Sequence, residues 1–276
     1  MSKQTESGNQ KSLAISTVSH RERQTMKSNL NVMLKNGFLI AVATFLLSGC
    51  GGGGGGTAAA PAPVIDPNLT VPVQTAIANL VNKGMNRAFT VTGWIDNSTT
   101  NTPVPRADIT GSGTLTIGTP TAATFNGSSV LRSTEVITGT VTVNGRQSSI
   151  ASSGTTFYNS SNYTIAGTVV GGETTFIAPY TYPTTVKAGN TGSFGNSTSG
   201  GLDGGLFATT STTVYTVASD TATSLLVTLL KIESGPGATV TTQTVYRIST
   251  SGDINLVSID SLKHLTRDYQ KLTFTF

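Results

Sequence analysis

Val136-Ile137-Thr138-Gly139-Thr140-Val141-Thr142-Val143, then Asn144-Gly145, then the run from Ser148 to Tyr158, read as two alternating segments around a two-residue turn. Both central positions of a tight hairpin turn want positive φ, which Asn and Gly adopt most readily, so the stretch predicts an antiparallel hairpin. The same grammar extends in both directions. Thr, Val, Ile, Phe and Tyr alternate with polar residues, and Gly, Asn, Asp or Pro interrupts them at short intervals. Toward the N-terminus this predicts strands at 88–95, 107–117 and 122–132, ahead of the hairpin strands at 136–143 and 148–158. Beyond them come 163–170 and 173–178, with Gly171-Gly172 as a second turn of the same kind.

Pro183 and the glycine-rich 189–205 hold little that favours a ladder, which predicts a long loop or a seam between two halves of one sheet system. Strands resume at 206–219, 224–232, 241–249, 254–259 and 265–276, with tight turns marked by Asp220 and by Ser251-Gly252-Asp253. Leu225 to Leu230 is apolar on both faces, which predicts a central strand covered on both sides. One helical pattern precedes all of this. Val73, Ala76, Ile77, Leu80 and Val81 form a single apolar stripe over 73–83, with Pro72 suited to the first turn and Gly84 to the C-terminal cap. The expected fold is therefore mostly β: antiparallel strands in a sandwich, barrel or strongly curved sheet, with one short N-terminal helix packed on the sheet or plugging one end.

The segment ahead of this domain has a different character. Phe38 to Leu47 is apolar apart from Thr44, follows Lys27 and Lys35, and ends in Leu47-Ser48-Gly49-Cys50 and six glycines. Ten residues are too few to cross a bilayer as a helix, which takes about 20; charge, short apolar run and small residues are the order of a secretory signal. Leu47-Ser48-Gly49-Cys50 resembles the lipobox of bacterial lipoprotein signal peptides. The resemblance implies recognition of Leu47, Ser48 and Gly49 by the signal peptidase and cleavage before Cys50. It also implies diacylglyceryl and N-acyl groups on Cys50, and partners in the lipoprotein processing and sorting machinery. Gly51 in place of Asp implies, in a Gram-negative cell, transfer to the outer membrane. Two or three acyl chains anchor stably where one binds only marginally.

Three segments follow. Residues 1–49 form a polar leader plus signal peptide, with Met26 or Met33 as the expected start; 50–72 form the lipidated cysteine and a Gly/Ala/Pro tether; 73–276 form the β domain. The tether spans roughly 25 Å as a coil, which places the domain close to its membrane.

The whole chain is formally +4, with 17 basic and 13 acidic residues. Lys3, Lys11, Arg21, Arg23, Lys27 and Lys35, with Glu6 and Glu22, all precede Cys50, which leaves 11 of each sign after it. The basic balance therefore gives no electrostatic case for nucleic acid. Cys50 is the one cysteine, so no disulfide and no cysteine–zinc site is expected.

The remaining candidates are sparse. His264 follows Asp260 and Ser261, yet a Ser/His/Asp arrangement needs the three groups to meet in space, so a polar strand-end or loop histidine is the expectation. Gly200-Gly201-Leu202-Asp203-Gly204-Gly205 is similar to a calcium-binding glycine-rich repeat but occurs once, which reads as a turn. Six N-x-[ST] triplets, at Asn68, Asn97, Asn126, Asn159, Asn162 and Asn196, are discounted as glycan sites beside a bacterial signal. Trp94 shares a strand face with Thr90 and Thr92 and is either a ligand platform or packed under the helix or a loop. The terminal Leu272-Thr273-Phe274-Thr275-Phe276 resembles the closing strand of outer-membrane barrels, but the expected outward positions are Thr, Ser or Gly.

The chain is thus expected to be a non-enzymatic, lipid-anchored envelope protein, without metal or other cofactor. Its domain would bind an envelope protein, glycan or lipid, or serve envelope structure. The alternative is carriage of an apolar ligand in a curved sheet closed by the 73–83 helix; a membrane barrel or a hydrolase using Ser261 and His264 is more remote.

Overall fold

The computed structural model describes residues 66–96, 106–200, 209–235, 238–265 and 269–276. The chain begins there with β1 (Thr70–Val71) and the helix α1 (Val73–Lys83), then β2 (Met85–Asp96), β3 (Ala107–Ile117), β4 (Thr121–Phe125), β5 (Ser128–Val143) and β6 (Arg146–Asn159). It continues with β7 (Ile165–Val170), β8 (Glu173–Ile177), β9 (Val186–Lys187), β10 (Thr191–Gly200) and β11 (Thr209–Thr221). The last four strands are β12 (Ser224–Gly235), β13 (Ala238–Ser249), β14 (Ile254–Leu265) and β15 (Tyr269–Thr275).

Every ladder is antiparallel, and the order β2-β3-β5-β6-β7-β8-β10-β11-β12-β13-β14-β15 returns to β2, so twelve strands form a closed up-and-down barrel. The seam is the pairing of β15 with β2, which runs from Tyr269↔Asp96 to Thr275↔Thr90. Closure removes the sheet edges that would otherwise pair with other chains. β4 extends β3 along β5 past the barrel rim, and β1 pairs with β9 in a separate two-stranded ribbon.

The alternation sorts side chains cleanly. On β2, Phe89, Val91 and Ile95 are buried while Thr90 and Thr92 are exposed. The inward sets of neighbouring strands meet in register: Val91 opposes Phe274, Phe274 opposes Ile259, and Ile259 opposes Thr244. Outside, threonine faces threonine at Thr92↔Thr273, Thr216↔Thr228 and Thr110↔Thr142. The inward positions nearer the helix are mainly apolar and many outward ones are threonine, with Val214, Ile232 and Leu262 as exposed apolar residues outside.

The helix closes one end. Its buried stripe is Val73, Ala76, Ile77, Leu80 and Val81, and Gly84 (φ +65°) ends it, with its N–H donating to the Leu80 carbonyl at 2.9 Å. Three side chains tie the helix to connections at that rim. Gln74 Nε2 donates to the Tyr182 carbonyl at 2.8 Å, Asn79 Nδ2 to the Gly252 carbonyl at 3.2 Å, and Asn82 Nδ2 to the Tyr163 hydroxyl at 3.1 Å.

Several expectations need correction. Asn126-Gly127, at φ 47° and 76°, forms a second positive-φ turn like Asn144-Gly145 at 49° and 74°. It splits the expected 122–132 strand and joins its second half to 136–143 in the 16-residue β5. The expected loop over 189–205 contains β10, paired to β8 on one side and β11 on the other. Two partner strands override its weak intrinsic preference, and Gly195 (φ +85°) takes the bulge between Ser193 and Asn196. β12 is a strand but is not covered on both sides: Leu225, Val227 and Leu229 are buried inward, while Leu226 and Leu230 are half-buried on the outer face. Asp220 lies at the end of β11 rather than in the turn, and the tether reading of 50–72 stops short of the structure, because Val71 is fully buried in the β1–β9 ribbon.

Candidate functional site

The up-and-down order gives the barrel two different ends. β2 leaves the helix end, so Asp96, Ala107, Gly200, Thr209, Gly235, Ala238, Leu265 and Tyr269 all lie at the opposite mouth. Residues 97–106, 201–208, 236–237 and 266–268 connect strands at that mouth, with the tight turns Asn144-Gly145 and Gly171-Gly172.

Near the helix end the interior is filled. Tyr180, Tyr182 and Phe194 pack as neighbouring rings, with centroids 5.1 Å apart for Tyr180–Tyr182 and 5.4 Å for Tyr182–Phe194. The Tyr180 and Tyr182 hydroxyls hydrogen-bond at 2.8 Å, and the Ile165 N–H donates to Tyr180 at 3.1 Å. Glu135 is 1% exposed on the inner face of β5, and the Thr156 hydroxyl donates to it at 2.5 Å. Burial pushes the Glu135 carboxyl up to about 8, against a smaller lowering by Thr156. Burial first, then the field of Glu135, raises Tyr158 on the neighbouring strand and Tyr246 on β13. β13 is five strands around the ring from β5, so the two walls meet across the lumen at this level.

Toward the loop-bearing mouth the inner wall of β10 to β15 turns polar. On β12 the inward parity that carries Leu225, Val227 and Leu229 continues into Lys231 and Glu233, whose Nζ and Oε1 lie 3.0 Å apart at 8% and 14% side-chain exposure. Across the ladders Lys231 opposes Thr242, and Thr242 opposes Ser261. One row nearer the mouth, Glu233 opposes Val240, Val240 opposes Lys263, and Lys263 opposes Gln270. The Ser197 and Ser211 hydroxyls pair at 2.5 Å on the same wall. Gln270 is 1% exposed with neither Oε1 nor Nε2 hydrogen-bonded, and the Thr242 hydroxyl, 2% exposed, also has no partner. Leaving such groups unsatisfied costs on the order of 1–3 kcal/mol each. Burial lowers the Lys263 ammonium below its ordinary value. Ile95, Ala107 and Ile109 continue the inner wall as an apolar surface beyond the seam.

Two cavities lined by described residues are small. One of about 10 Å³ lies among Ile177, Tyr180, Phe194, Ser197, Thr213 and Lys231, room for about one water. The other, about 60 Å³, is a cleft between the end of α1 and the Gly252-Asp253 turn.

Leu47, Ser48, Gly49 and Cys50 lie outside the described residues, as does most of the glycine run expected as a turn at 200–205. Trp94 is half-exposed on the outer wall at the loop-bearing mouth, far from the helix, with the Arg106 guanidinium 4.5 Å over its ring. His264 ends β14 on the outer face, stacked on Tyr269 at 4.4 Å, whereas Ser261 is 5% exposed on the inner face. The wall separates the two, so the hydrolase arrangement does not form. Among the described residues no group of three or more His, Cys, Asp or Glu side chains is placed to hold a metal, and no helix is long and apolar enough to cross a membrane.

Sequence reasoning missed the inner polar wall. Its signal was present in the parity of β12, where the apolar positions 225, 227 and 229 lead to charged 231 and 233 on the same face. Comparison of the chain with protein-family models, with curated proteins and with solved structures finds no match in any of the three.

Proposed function

We propose that this chain is a lipid-anchored lipoprotein of the cell envelope, in the outer membrane of a Gram-negative cell, whose barrel is a non-enzymatic binding module. The lipobox at Leu47–Cys50 supports the anchor. The observation that carries the binding reading is the difference between the two ends of the barrel. The chain enters beside α1 at the helix end, while the polar inner wall lies toward the other. With Cys50 acylated, the sixteen residues to Asp66 would have, as a coil, an r.m.s. span of roughly 22 Å. Strands of 12 residues, tilted as in other closed barrels, separate the two ends by about 30 Å. The helix end therefore sits toward the membrane and the opposite mouth faces away, toward a partner of the envelope. Carriage of an apolar ligand in the barrel is the second reading; the two cavities lined by described residues, about 10 and 60 Å³, are each too small for an acyl chain.

Two measurements test this. Incorporation of a palmitate analogue into the full chain, lost in Cys50→Ala, is the expected result for the anchor; equal labelling of both proteins contradicts it. For orientation, a fluorophore on Ser251→Cys at the helix end and one on Arg146→Cys at the opposite end are compared in vesicles carrying headgroup-attached nitroxides. Stronger quenching at position 251 is expected. Equal or stronger quenching at 146 overturns the orientation.

A further inference from the structure

The polar inner wall has an unbalanced charge and unsatisfied hydrogen-bonding groups in the same place. Lys231 is neutralised by Glu233 at 3.0 Å, whereas among the described residues no carboxylate pairs with Lys263. Lys263 and Gln270 oppose each other across β14 and β15, which brings their Cβ atoms to about 5 Å. Both point into the lumen, since their neighbours in register are the buried Ile95 and the inward Val240. Gln270 is 99% buried with both amide atoms unpaired, and Thr242 adds an unpaired hydroxyl one row deeper. Lys263 itself is only half-buried, unlike Gln270.

We propose that this wall binds an oxyanionic group, a phosphate or a carboxylate carried on an envelope solute or polymer, with Lys263 supplying the charge and Gln270 and Thr242 the hydrogen bonds. The chemistry excludes other classes of ligand. Among the described residues, a cation meets the Lys263 ammonium and gains no carboxylate that Lys231 does not already hold. A neutral apolar ligand leaves the Gln270 amide unsatisfied, the costly outcome in a buried site. An oxyanion accepts from the ammonium and from Nε2, and where it carries a hydroxyl, as hydrogen phosphate does, it also donates to Oε1. Glu233, two strands from Lys263, bars the anion from the β12 side and sets which part of the lumen it occupies.

The inference rests on the reading of the mouth opposite the helix as the binding end, and its test is independent of the anchor. The full chain with Cys50→Ala is titrated with inorganic phosphate and, separately, with acetate, while the Gln270 side-chain amide is followed by ¹⁵N–¹H NMR. The signal is identified by its loss in Gln270→Leu. A saturable shift is expected, weakened at least tenfold in Lys263→Met and unchanged in Lys187→Met, a lysine exposed at the helix end. The tighter anion tells whether the natural group is tetrahedral or planar. A shift that does not saturate with either anion, or one that survives Lys263→Met, overturns the proposal. Gln270→Leu guards against a merely unfolded variant. It should raise the unfolding midpoint by removing the unpaired amide, yet abolish anion-dependent stabilisation; anion-dependent stabilisation that persists in this variant also overturns the proposal. Absence of anion binding leaves the membrane orientation standing, and a reversed orientation leaves the anion titration standing.

Discussion

Glu135→Gln offers a sharp test of the packed interior. Glu135 is walled in by both sides of the barrel, and its carboxyl is pushed from an ordinary value of 4.5 up to about 8 by burial. Between those values the folded chain holds a proton that the unfolded chain has released. The folded state therefore binds more protons, and stability falls as pH rises through that window. A rise of roughly 3.5 units at 1.36 kcal/mol each amounts to about 5 kcal/mol, most of it lost by pH 8. That is comparable to the whole stability of many domains. Glutamine is neutral throughout and its Oε1 still accepts from the Thr156 hydroxyl, so the variant lacks this slope. Its Nε2 replaces Oε2, which has no hydrogen-bond partner, at a pH-independent cost of about 1–3 kcal/mol. Urea unfolding monitored through Trp94, run from pH 5 to pH 9 on both proteins, should give curves that cross. The wild type is the more stable at pH 5 and the variant at pH 9. Taking the difference between the proteins cancels every other titrating group. Parallel stability curves would refute the burial of Glu135 and with it the meeting of the two walls.

Phe274 is 1% exposed beside the seam and stands edge-to-face against Phe89 at 5.4 Å. Phe274→Ala should cost about 3–5 kcal/mol by urea denaturation, and a loss under 1 kcal/mol would show that the seam is not part of the core. Asp220 accepts from Arg247 Nε at 2.6 Å, from Arg247 Nη2 at 3.0 Å and from the Ser224 hydroxyl at 2.5 Å, which hold its carboxyl below the ordinary range. That stability is present above the carboxylate's unfolded value and is lost as pH falls through the depressed one. The Arg247 side chain is 43% exposed, so solvent screening limits the pair and Asp220→Asn should cost about 1 kcal/mol at pH 7. The difference from wild type should vanish in strong acid, and a constant difference down to pH 2 would contradict the ion pair.

Local grammar was the legible part of this protein. The helix over 73–83 and the strand over 107–117 fall where periodicity places them, because each contains its own stop signals in Pro72, Gly84 and Gly118. The alternation on β2 also reads directly, with Phe89, Val91 and Ile95 on one face and Trp94 on the other. What failed depends on partners distant in sequence. β10 is a strand because β8 and β11 flank it, and nothing inside Thr191–Gly200 announces those neighbours. Barrel and sandwich share the same strand grammar. They are separated by one long-range pairing, β15 with β2, between segments about 180 residues apart. The inner polar wall was hidden for the same reason. Lys231, Thr242, Ser261, Lys263 and Gln270 lie on four strands; the parity of β12 alone puts Lys231 on its apolar face, but which side chains share that wall follows only from the pairings of the closed barrel.

That closure is the claim on which the helix end, the opposite mouth and the inner wall all depend, and backbone proton contacts across the seam measure it directly. A nuclear Overhauser spectrum of the full chain with Cys50→Ala should show cross-strand contacts between β2 and β15 in the observed register, including Thr92 to Thr273 and Val91 to Phe274. The amides of both strands should exchange as slowly as those of the β12–β13 ladder. Absence of these contacts while the β12–β13 contacts remain, with β2 and β15 amides exchanging as free edges, would contradict a closed barrel.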